Sequence, residues 1–246
     1  MEKNLGKKYA IVMGATSGIG REVALELARR GWTVGVAGRR AERLSALVCG
    51  TEGIVATRAI DVTGEEAPAL LEELAAATGG MDLYFHSSGI GWQNLDLEVG
   101  KELQTVATNA AGFVRMVDTA FHWMRRHGGG HIACISSIAG TKGLGAAPAY
   151  SSTKRFQSHY IESLTQLARL QGLSVRFTDF RPGFVATDLI ANGHYPLQLS
   201  AARVARQMVD ALERNRRVVV IDWRYRLLVV GWRLIPRWLW VRLRIR

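Results

Sequence analysis

The stretch that decides the fold is Tyr9-Ala10-Ile11-Val12-Met13-Gly14-Ala15-Thr16-Ser17-Gly18-Ile19-Gly20. Its apolar start predicts a strand, its glycines a tight turn, and the apolar spacing that follows predicts a helix ending near Gly31. A helix N-terminus behind such a turn presents free N–H groups and a positive dipole end, which together bind a pyrophosphate. The alternative is an ordinary tight turn, because Gly14-x3-Gly18-x-Gly20 is not the GxGxxG fingerprint.

Apolar runs and helical patterns continue to alternate along the 246 residues. The further predicted strands are 32–37, 54–60, 83–85, 131–135, 173–180 and 217–221. Helices are predicted between them, with long ones at 101–126 and 150–170. This alternation predicts an α/β fold: a single doubly wound, Rossmann-like domain with a parallel sheet of about seven strands. We assign it to residues 1–222, followed by an amphipathic helical C-terminal tail at residues 223–246.

The end of the second predicted strand indicates the cofactor. An acidic residue about 20 positions after the glycines would hold the ribose 2′-hydroxyl of NAD. The sequence instead has Gly38-Arg39-Arg40 there. Because a guanidinium can meet a 2′-phosphate with several donors, Arg39 and Arg40 favour NADP over NAD. The alternative is that both arginines are solvated and begin the next helix.

Two further loops follow predicted strands, at the edge where open parallel sheets bind ligands. Asp61 and Val62 follow the third strand, where a carboxylate and a backbone amide are expected to meet an adenine edge. His86-Ser87-Ser88-Gly89 follows the fourth strand. A lone histidine in such a place is more often hydrogen-bonded in position than functional, and we predict this for His86.

Tyr150-Ser151-Ser152-Thr153-Lys154 carries the residues best suited to chemistry. On a helix, Tyr150 and Lys154 share one face, so the ammonium lies beside the phenol and favours its ionised form. Ser137 ends the fifth strand, and a loop rich in glycine and alanine lets it meet the tyrosine. Asn109 interrupts the 101–126 helix, which predicts a kink that turns it toward the pocket; the alternative is an asparagine on the helix surface. Tyr150 is the candidate general acid/base.

The formal net charge of +11 raises the question of nucleic acid. The charge is concentrated at the end of the chain, since Arg216 to Arg246 contains nine arginines and one acid. No nucleic-acid-binding module is recognisable, and we expect no nucleic-acid partner. We expect no metal site either, because no carboxylate or cysteine completes the set of His122, His127 and His131.

The two cysteines, Cys49 and Cys134, are far apart and stand among apolar or small residues. They predict buried free thiols in a reducing compartment. Met1–Lys8 is too short for a secretory signal, so we expect a cytoplasmic protein.

The tail combines tryptophans, leucines and arginines. Arg226, Arg233, Arg237 and Arg244 would share a face about 40° wide on a continuous helix, whereas Pro236 predicts a helix pair. No run reaches the roughly 18 apolar residues of a spanning helix. We therefore favour peripheral association of residues 223–246 with the inner face of a membrane. The alternative is that the aromatic residues cover the substrate pocket or a subunit interface, with the arginines pointing outward.

Together, Gly14-x3-Gly18-x-Gly20, Asn109, Ser137, Tyr150-x3-Lys154 and Pro182-Gly183 resemble the short-chain dehydrogenase/reductase family over about residues 5–222. The resemblance implies that Tyr150 exchanges a proton with the substrate oxygen, to which Ser137 is hydrogen-bonded. It implies that Lys154 binds the nicotinamide ribose and lowers the pKa of Tyr150, and that Asn109 holds a water in a proton relay. Family members usually form oligomers through the helices after the fourth and fifth strands, so a homo-oligomer is expected.

The resemblance also implies a complete NADP(H) site. The expected cofactor-binding residues are Gly14, Ser17, Gly18, Ile19, Gly20, Arg39, Arg40, Asp61, Val62, Gly89, Tyr150, Lys154, Pro182, Gly183, Val185 and Thr187. Two positions depart from the family pattern: Met13 replaces a threonine, and His86-Ser87-Ser88-Gly89 replaces Asn-Asn-Ala-Gly. The second departure puts in doubt the bonds that normally brace the fourth strand.

The sequence thus predicts an NADPH-dependent oxidoreductase of the EC 1.1.1 type that reduces a ketone or aldehyde to an alcohol, with Tyr150 as general acid. The tail indicates a hydrophobic or lipid-like substrate, and a short lid is expected between Asp188 and Ser200. The alternative function is a non-catalytic NADP-binding scaffold or redox sensor at a membrane surface.

Overall fold

The structure is a computed structural model that describes residues 8–188 and 197–245. The expected lid lies largely outside the described residues. The strands are β1 (Tyr9–Met13), β2 (Thr33–Gly38), β3 (Ile54–Ala59), β4 (Leu83–His86), β5 (Gly130–Ile135), β6 (Val175–Arg181), β7 (Val185–Ala186), β8 (Leu199–Ser200) and β9 (Val218–Val220). The helices are α1 (Gly18–Arg29), α2 (Ala41–Gly50), α3 (Ala67–Thr78), α4 (Val99–Val106), α5 (Phe113–Arg126), α6 (Pro148–Leu170), α7 (Ala201–Glu213), α8 (Trp223–Leu234) and α9 (Arg237–Trp240).

The main sheet confirms the predicted doubly wound topology. Seven parallel strands lie in the order β3-β2-β1-β4-β5-β6-β9. From β1 the chain builds outward through β2 and β3 on one side, then crosses to β4 and builds outward on the other. The order therefore reverses between β1 and β4, and a crevice at the carboxyl ends of these two strands is where such sheets bind ligands. The strands β7 and β8 form a separate parallel pair.

Helices cover both faces of the sheet, because both faces of a parallel sheet carry apolar side chains that must be buried. One core packs α1, α2, α7 and α8 on the sheet, with Leu27, Met208 and Val229 among its buried residues. The other packs α3, α5 and α6, with Leu74 and Met116 buried between them. The tail helix α8 thus contributes to the first core. The division at residues 222 and 223 remains a prediction.

Further features of the chain are the state of its cysteines, its possible metal ligands and the length of its helices. Cys134 is a buried free thiol as predicted, but Cys49 is free and exposed, because the end of α2 carries it on the solvent side. In residues 8–188 and 197–245, no group of histidine, cysteine and acidic side chains is arranged to hold a metal ion. Over the same ranges, no helix is both long and apolar enough to cross a bilayer.

The tail contains the predicted helix pair, but the predicted arginine stripe is wrong. Ile235 and Pro236 interrupt the helix between α8 and α9, and Arg244 lies beyond the end of α9. A helical period cannot continue across that break, because proline removes a backbone donor and its ring clashes with the preceding turn. Of the four arginines of the predicted stripe, only Arg226 and Arg233 lie on the same helix.

Candidate active site

The glycine-rich turn connects β1 to α1 at the crevice. Gly14 has a φ of +87°, and a Cβ there would lie 2.7 Å from the backbone of Ser87 on the neighbouring loop. Gly18 begins α1 with a φ of +56°, a conformation that favours glycine. Both glycines leave the backbone open in front of the free N–H groups of the helix N-terminus. The turn therefore has the shape and polarity of a phosphate cradle.

Arg40 reaches over this turn from the start of α2. Its guanidinium donates to the Thr16 hydroxyl at 2.8 Å and to the Ser17 hydroxyl at 2.7 Å, and it pairs with Asp188 at 3.4 Å. Arg39 is exposed beside it. Two cations at the end of β2, with no acid from 33 to 41, present positive charge where the sequence placed a 2′-phosphate. The residues present fit a phosphorylated nicotinamide cofactor.

The Asp61 carboxylate is engaged within its own loop. It accepts hydrogen bonds from the Thr63 N–H at 3.0 Å and the Thr63 hydroxyl at 2.8 Å. The backbone bond from Thr63 holds the pKa of Asp61 below its usual value. Asp61 and Val62 both line the cavity described below. The proposed contact with adenine stays a prediction.

Helix α6 carries the catalytic candidates on one face. Tyr150, Lys154 and Gln157 follow one another at offsets of four and three, which places their side chains together. The Lys154 ammonium is buried and donates to the Ile135 carbonyl at 2.8 Å and to Gln157 Oε1 at 3.0 Å. Gln157 is fully buried, and its Nε2 donates to the Asn109 carbonyl at 2.9 Å. A side-chain amide therefore bridges the lysine to the asparagine backbone.

Asn109 lies in a π-helix, Ala107–Gly112, that interrupts the predicted 101–126 helix between α4 and α5. Such single π turns are frequent at functional sites. The Asn109 side chain is fully buried and clamps Ile90, accepting from its N–H at 2.9 Å and donating to its carbonyl at 2.7 Å. It also donates to the Thr153 hydroxyl at 3.2 Å. The side chain thus fixes the loop after β4, whereas its backbone carbonyl meets Gln157.

Ser137 and Tyr150 meet at the cavity wall, as the sequence predicted. The Ser137 oxygen accepts from the Ala139 N–H at 3.1 Å, which orients the hydroxyl and leaves its proton available to another acceptor. The neighbouring Ser136 instead donates to Asp179 inside the core. Ser137 is therefore the serine that can serve a substrate.

The charges around Tyr150 differ from the expectation. Burial raises the pKa of the Tyr150 hydroxyl, and its hydrogen bond with Ser137 acts in the opposite direction. The Lys154 Nζ lies 5.7 Å from the centre of the tyrosine ring. Burial also lowers the pKa of Lys154 to about 8. The pKa of Tyr150 is thus raised rather than lowered as expected, because desolvation is the largest influence on it.

His86 is hydrogen-bonded in place, as predicted. Its Nδ1 pairs with the Tyr84 hydroxyl at 2.8 Å, and its ring meets the edge of Phe113 at 5.1 Å. Burial lowers the pKa of His86 to about 3, so the ring is neutral near pH 7. The contact with Phe113 packs the end of β4 against α5.

One cavity of about 980 Å³ connects the glycine-rich turn to the catalytic face. It is lined by every predicted site residue except two, Gly20 and Asn109. A Cβ at Gly20 would lie 2.3 Å from the Gly14 carbonyl, so this glycine lets α1 pack against the turn. The prediction that the kink turns Asn109 toward the pocket is wrong: its side chain is buried behind the wall, because it bonds the Ile90 backbone and acts on the wall through it.

The far wall of this cavity comes from the tail, through Tyr225, Leu228, Trp232 and Ile245. The Tyr225 hydroxyl accepts from the Phe184 N–H at 3.1 Å and donates to the Leu197 carbonyl at 3.0 Å. Further along, the Trp240 indole donates to the Gly143 carbonyl at 2.7 Å. The tail is thereby fixed to the loop between Ser137 and Tyr150 as well as to the segment after β6.

Sequence reasoning missed two contributors to the site. Gln157 was not singled out, although its offset of three from Lys154 on a helix was a usable signal. Tyr225 was noted only as one of several aromatic residues in the tail. Its contacts with Phe184 and Leu197 join parts of the chain far apart in sequence, and no local pattern announces them.

Comparison with known proteins agrees with this architecture. Residues 8–194 match a family model described as short chain dehydrogenase. An uncharacterized oxidoreductase of Myxococcus xanthus is 36% identical over 198 residues, which cover 77% of each chain.

Two solved structures share the fold. A short-chain dehydrogenase/reductase from Burkholderia phymatum in complex with NAD is 21% identical, with a TM-score of 0.80 over 93% of this chain and 94% of that one. Actinorhodin polyketide ketoreductase with NADPH is 24% identical, with a TM-score of 0.75 over 87% and 95% of the two chains. One of these two proteins was solved with NAD and the other with NADPH.

Proposed function

The chain belongs to the short-chain dehydrogenase family, and we propose that it is an NADPH-dependent reductase that converts a ketone or aldehyde to an alcohol, of the EC 1.1.1 type. One observation carries the proposal: Ser137, Tyr150 and Lys154 converge on the same cavity as the glycine-rich turn. A binding scaffold would need the turn but not a half-buried tyrosine and a buried lysine beside it. The site is built for proton transfer as well as for binding.

We propose NADPH as the cofactor because of Arg39 and Arg40. Arg40 is held at the turn by Thr16 and Ser17, and Arg39 is exposed beside it. When bound, NADPH supplies the hydride that reduces the carbonyl carbon. Hydrogen bonds to a charged group contribute about 1.5–3 kcal/mol, which corresponds to a preference for NADPH over NADH of roughly ten- to a hundredfold.

The chain's own residues handle the carbonyl oxygen. Ser137 and Tyr150 donate hydrogen bonds to that oxygen as negative charge develops on it, and Tyr150 transfers its proton to it. Lys154 then holds positive charge beside the tyrosine oxygen, in a position set by Ile135 and Gln157. Asn109 keeps Ile90 and the loop after β4 in place.

We propose a hydrophobic substrate because of the apolar residues that line the cavity. Leu144, Leu228 and Trp232 line it, and Trp232 packs edge-on against Trp240 at 5.4 Å. Apolar and aromatic surface of this kind favours ligands with extended apolar parts.

The expected homo-oligomer also stays a proposal. Helix α4 exposes Val99, Leu103 and Val106, and the adjoining α6 exposes Phe156 and Leu167. A patch formed by two neighbouring helices is typical of an interface between copies. Light scattering would give the oligomeric state, and a monomer at micromolar concentration would contradict the proposal. The cytoplasmic location stays a prediction.

The function is tested by following NADPH consumption with a panel of ketones, aldehydes and keto-lipids. We expect turnover with apolar carbonyl compounds, and lower turnover with NADH in place of NADPH. Cofactor binding is measured in parallel by fluorescence. NADPH binding without turnover on any member of the panel would favour the non-catalytic scaffold instead.

A further inference from the structure

Helix α8 carries an apolar stripe that faces away from the body of the protein. Trp223, Leu227, Val230 and Leu234 recur at offsets of four, three and four, which places them within about 60° on one face. Their exposed fractions are 65%, 63%, 55% and 77%. We call these four residues the outer stripe. A helix on a protein surface normally presents polar residues on that face.

The opposite face of α8 is already occupied. Tyr225 and Val229 are buried against the body, while Leu228 and Trp232 line the cavity. The outer stripe is therefore separate from the face of α8 that packs against the body of the protein. It is a second apolar surface on the same helix, and its exposure to water is unfavourable unless another surface covers it.

Helix α9 and the chain after it extend this surface. Trp238 and Val241 are exposed by 62% and 79%, and Leu243 by 42%. Trp240 is turned inward, where its bond to Gly143 fixes the segment. These exposed apolar side chains follow the outer stripe directly along the chain and add to the apolar surface of the tail.

The charges beside this face have one sign. Residues 223–245 contain six arginines and no acid. Arg224 is neutralised by Asp222 at 2.9 Å. Arg226 and Arg233 lie seven positions apart on the flank of the outer stripe, and Arg237 begins α9. Exposed apolar side chains with tryptophan and arginine at their border match the boundary of a bilayer that carries negative head groups.

We propose that the outer stripe, with Trp238 and Val241, docks on an anionic lipid bilayer. The apolar side chains enter the boundary between head groups and acyl chains, and Arg226, Arg233 and Arg237 meet the lipid phosphates. Because α8 is about 10 Å across, docking holds the cavity wall formed by Leu228 and Trp232 close to the lipid surface. Docking itself does not depend on the proposed reaction. Its consequence, capture of a lipid-like substrate, rests on the proposed function.

The test is flotation of the full chain with two kinds of vesicle, one of phosphatidylcholine alone and one of equal parts phosphatidylcholine and phosphatidylglycerol. Leu234→Glu removes one member of the outer stripe at the last residue of α8. The matched control is Leu170→Glu, at the last residue of α6, where the leucine is 85% exposed. Both variants make the same change in charge at an exposed helix end.

We expect the wild type and Leu170→Glu to float with the anionic vesicles, and Leu234→Glu to bind about tenfold more weakly, since it loses the apolar area that Leu234 would bury in the bilayer. Salt at about 1 M should weaken wild-type binding, because the attraction between arginines and lipid phosphates is then screened beyond about 3 Å. Equal flotation of the two variants, or none by the wild type, would overturn the proposal. A third result would also overturn it: the wild type does not bind vesicles, and of the two variants only Leu234→Glu loses self-association. The outer stripe would then be an interface between copies of the chain.

Discussion

Helices α6 and α8 both line the cavity, and they differ in what their other contacts achieve. On α6, Lys154 and Gln157 are buried and linked in one chain of hydrogen bonds that ends at Asn109. On α8, the inner face is packed while the outer stripe remains exposed. Buried polar groups that satisfy each other fix a single geometry, as catalysis requires. Exposed apolar groups are instead available to bind a second surface.

Loss of the proton donor should lower activity more than any other substitution proposed below. Tyr150→Phe should lower kcat by about 10²–10⁴-fold, because the hydroxyl supplies general acid catalysis. NADPH affinity, measured by fluorescence titration, should change little. Undiminished turnover would remove Tyr150 from the mechanism, and α6 would then have no catalytic role that sets it apart from α8.

The second prediction concerns the buried charge of Lys154. Burial lowers its pKa from 10.5 to about 8, so between these values the unfolded chain binds a proton that the folded protein does not. Stability relative to Lys154→Met should therefore rise with pH across this window, by up to about 1.4 kcal/mol per pH unit. Below pH 8 the difference should be constant. Urea unfolding of both proteins from pH 7 to pH 10 gives their free energies of unfolding. If the two free energies change with pH in parallel throughout, the burial of this charge is contradicted.

The third prediction breaks the bridge between the lysine and Asn109. Gln157→Leu leaves the Asn109 carbonyl without this donor and Lys154 without this acceptor, which should cost about 1–3 kcal/mol of stability. We also expect lower kcat with little change in KM, since Lys154 is less well positioned. Gln166→Leu, exposed on the same helix, is the matched control and should differ little from the wild type. Equal effects of both substitutions would mean that Gln157 has no positioning role.

The smallest effect is expected where the tail meets the cavity. Tyr225→Phe removes the hydroxyl that joins Phe184 to Leu197 and should cost about 0.5–1.5 kcal/mol. We expect KM for bulky apolar substrates to rise while kcat stays near the wild-type value. Tyr9→Phe, at the start of β1, is the control. A fall in kcat at constant KM would place Tyr225 with the catalytic residues rather than with the wall.

The predictable parts of the molecule are those whose signals are local. The strand, glycine turn and helix from Tyr9 to Arg29 follow from apolar runs, and two glycines that adopt positive φ lie between them. The interruption at Asn109 was visible because small and polar residues replace the apolar ones that a buried helix needs. Tyr150 and Lys154 share a helix face by spacing alone.

The parts that the sequence missed depend on contacts between distant segments. The Gln157 amide becomes informative only when Asn109 is brought beside it. In the tail, a continuous helix was assumed when the arginines were grouped, and the break at Pro236 removes that grouping. The sequence of α8 alone does not show which of its apolar residues face inward, because this depends on packing against Phe184 and the cavity. Cys49 was misplaced because apolar neighbours in sequence do not tell which side of α2 faces the core.

Reduction of a carbonyl group by NADPH at Tyr150 and its neighbours can be followed directly by isotope transfer. NADPH deuterated at C4 of the nicotinamide, prepared with the label on either face, is incubated with an apolar ketone and the full-length protein. Mass spectrometry of the alcohol should show one deuterium on the carbinol carbon for one of the two labelled cofactors. The Tyr150→Phe variant should yield about 10²–10⁴-fold less labelled alcohol. Binding of NADPH with no labelled alcohol from any carbonyl compound tested would contradict the account.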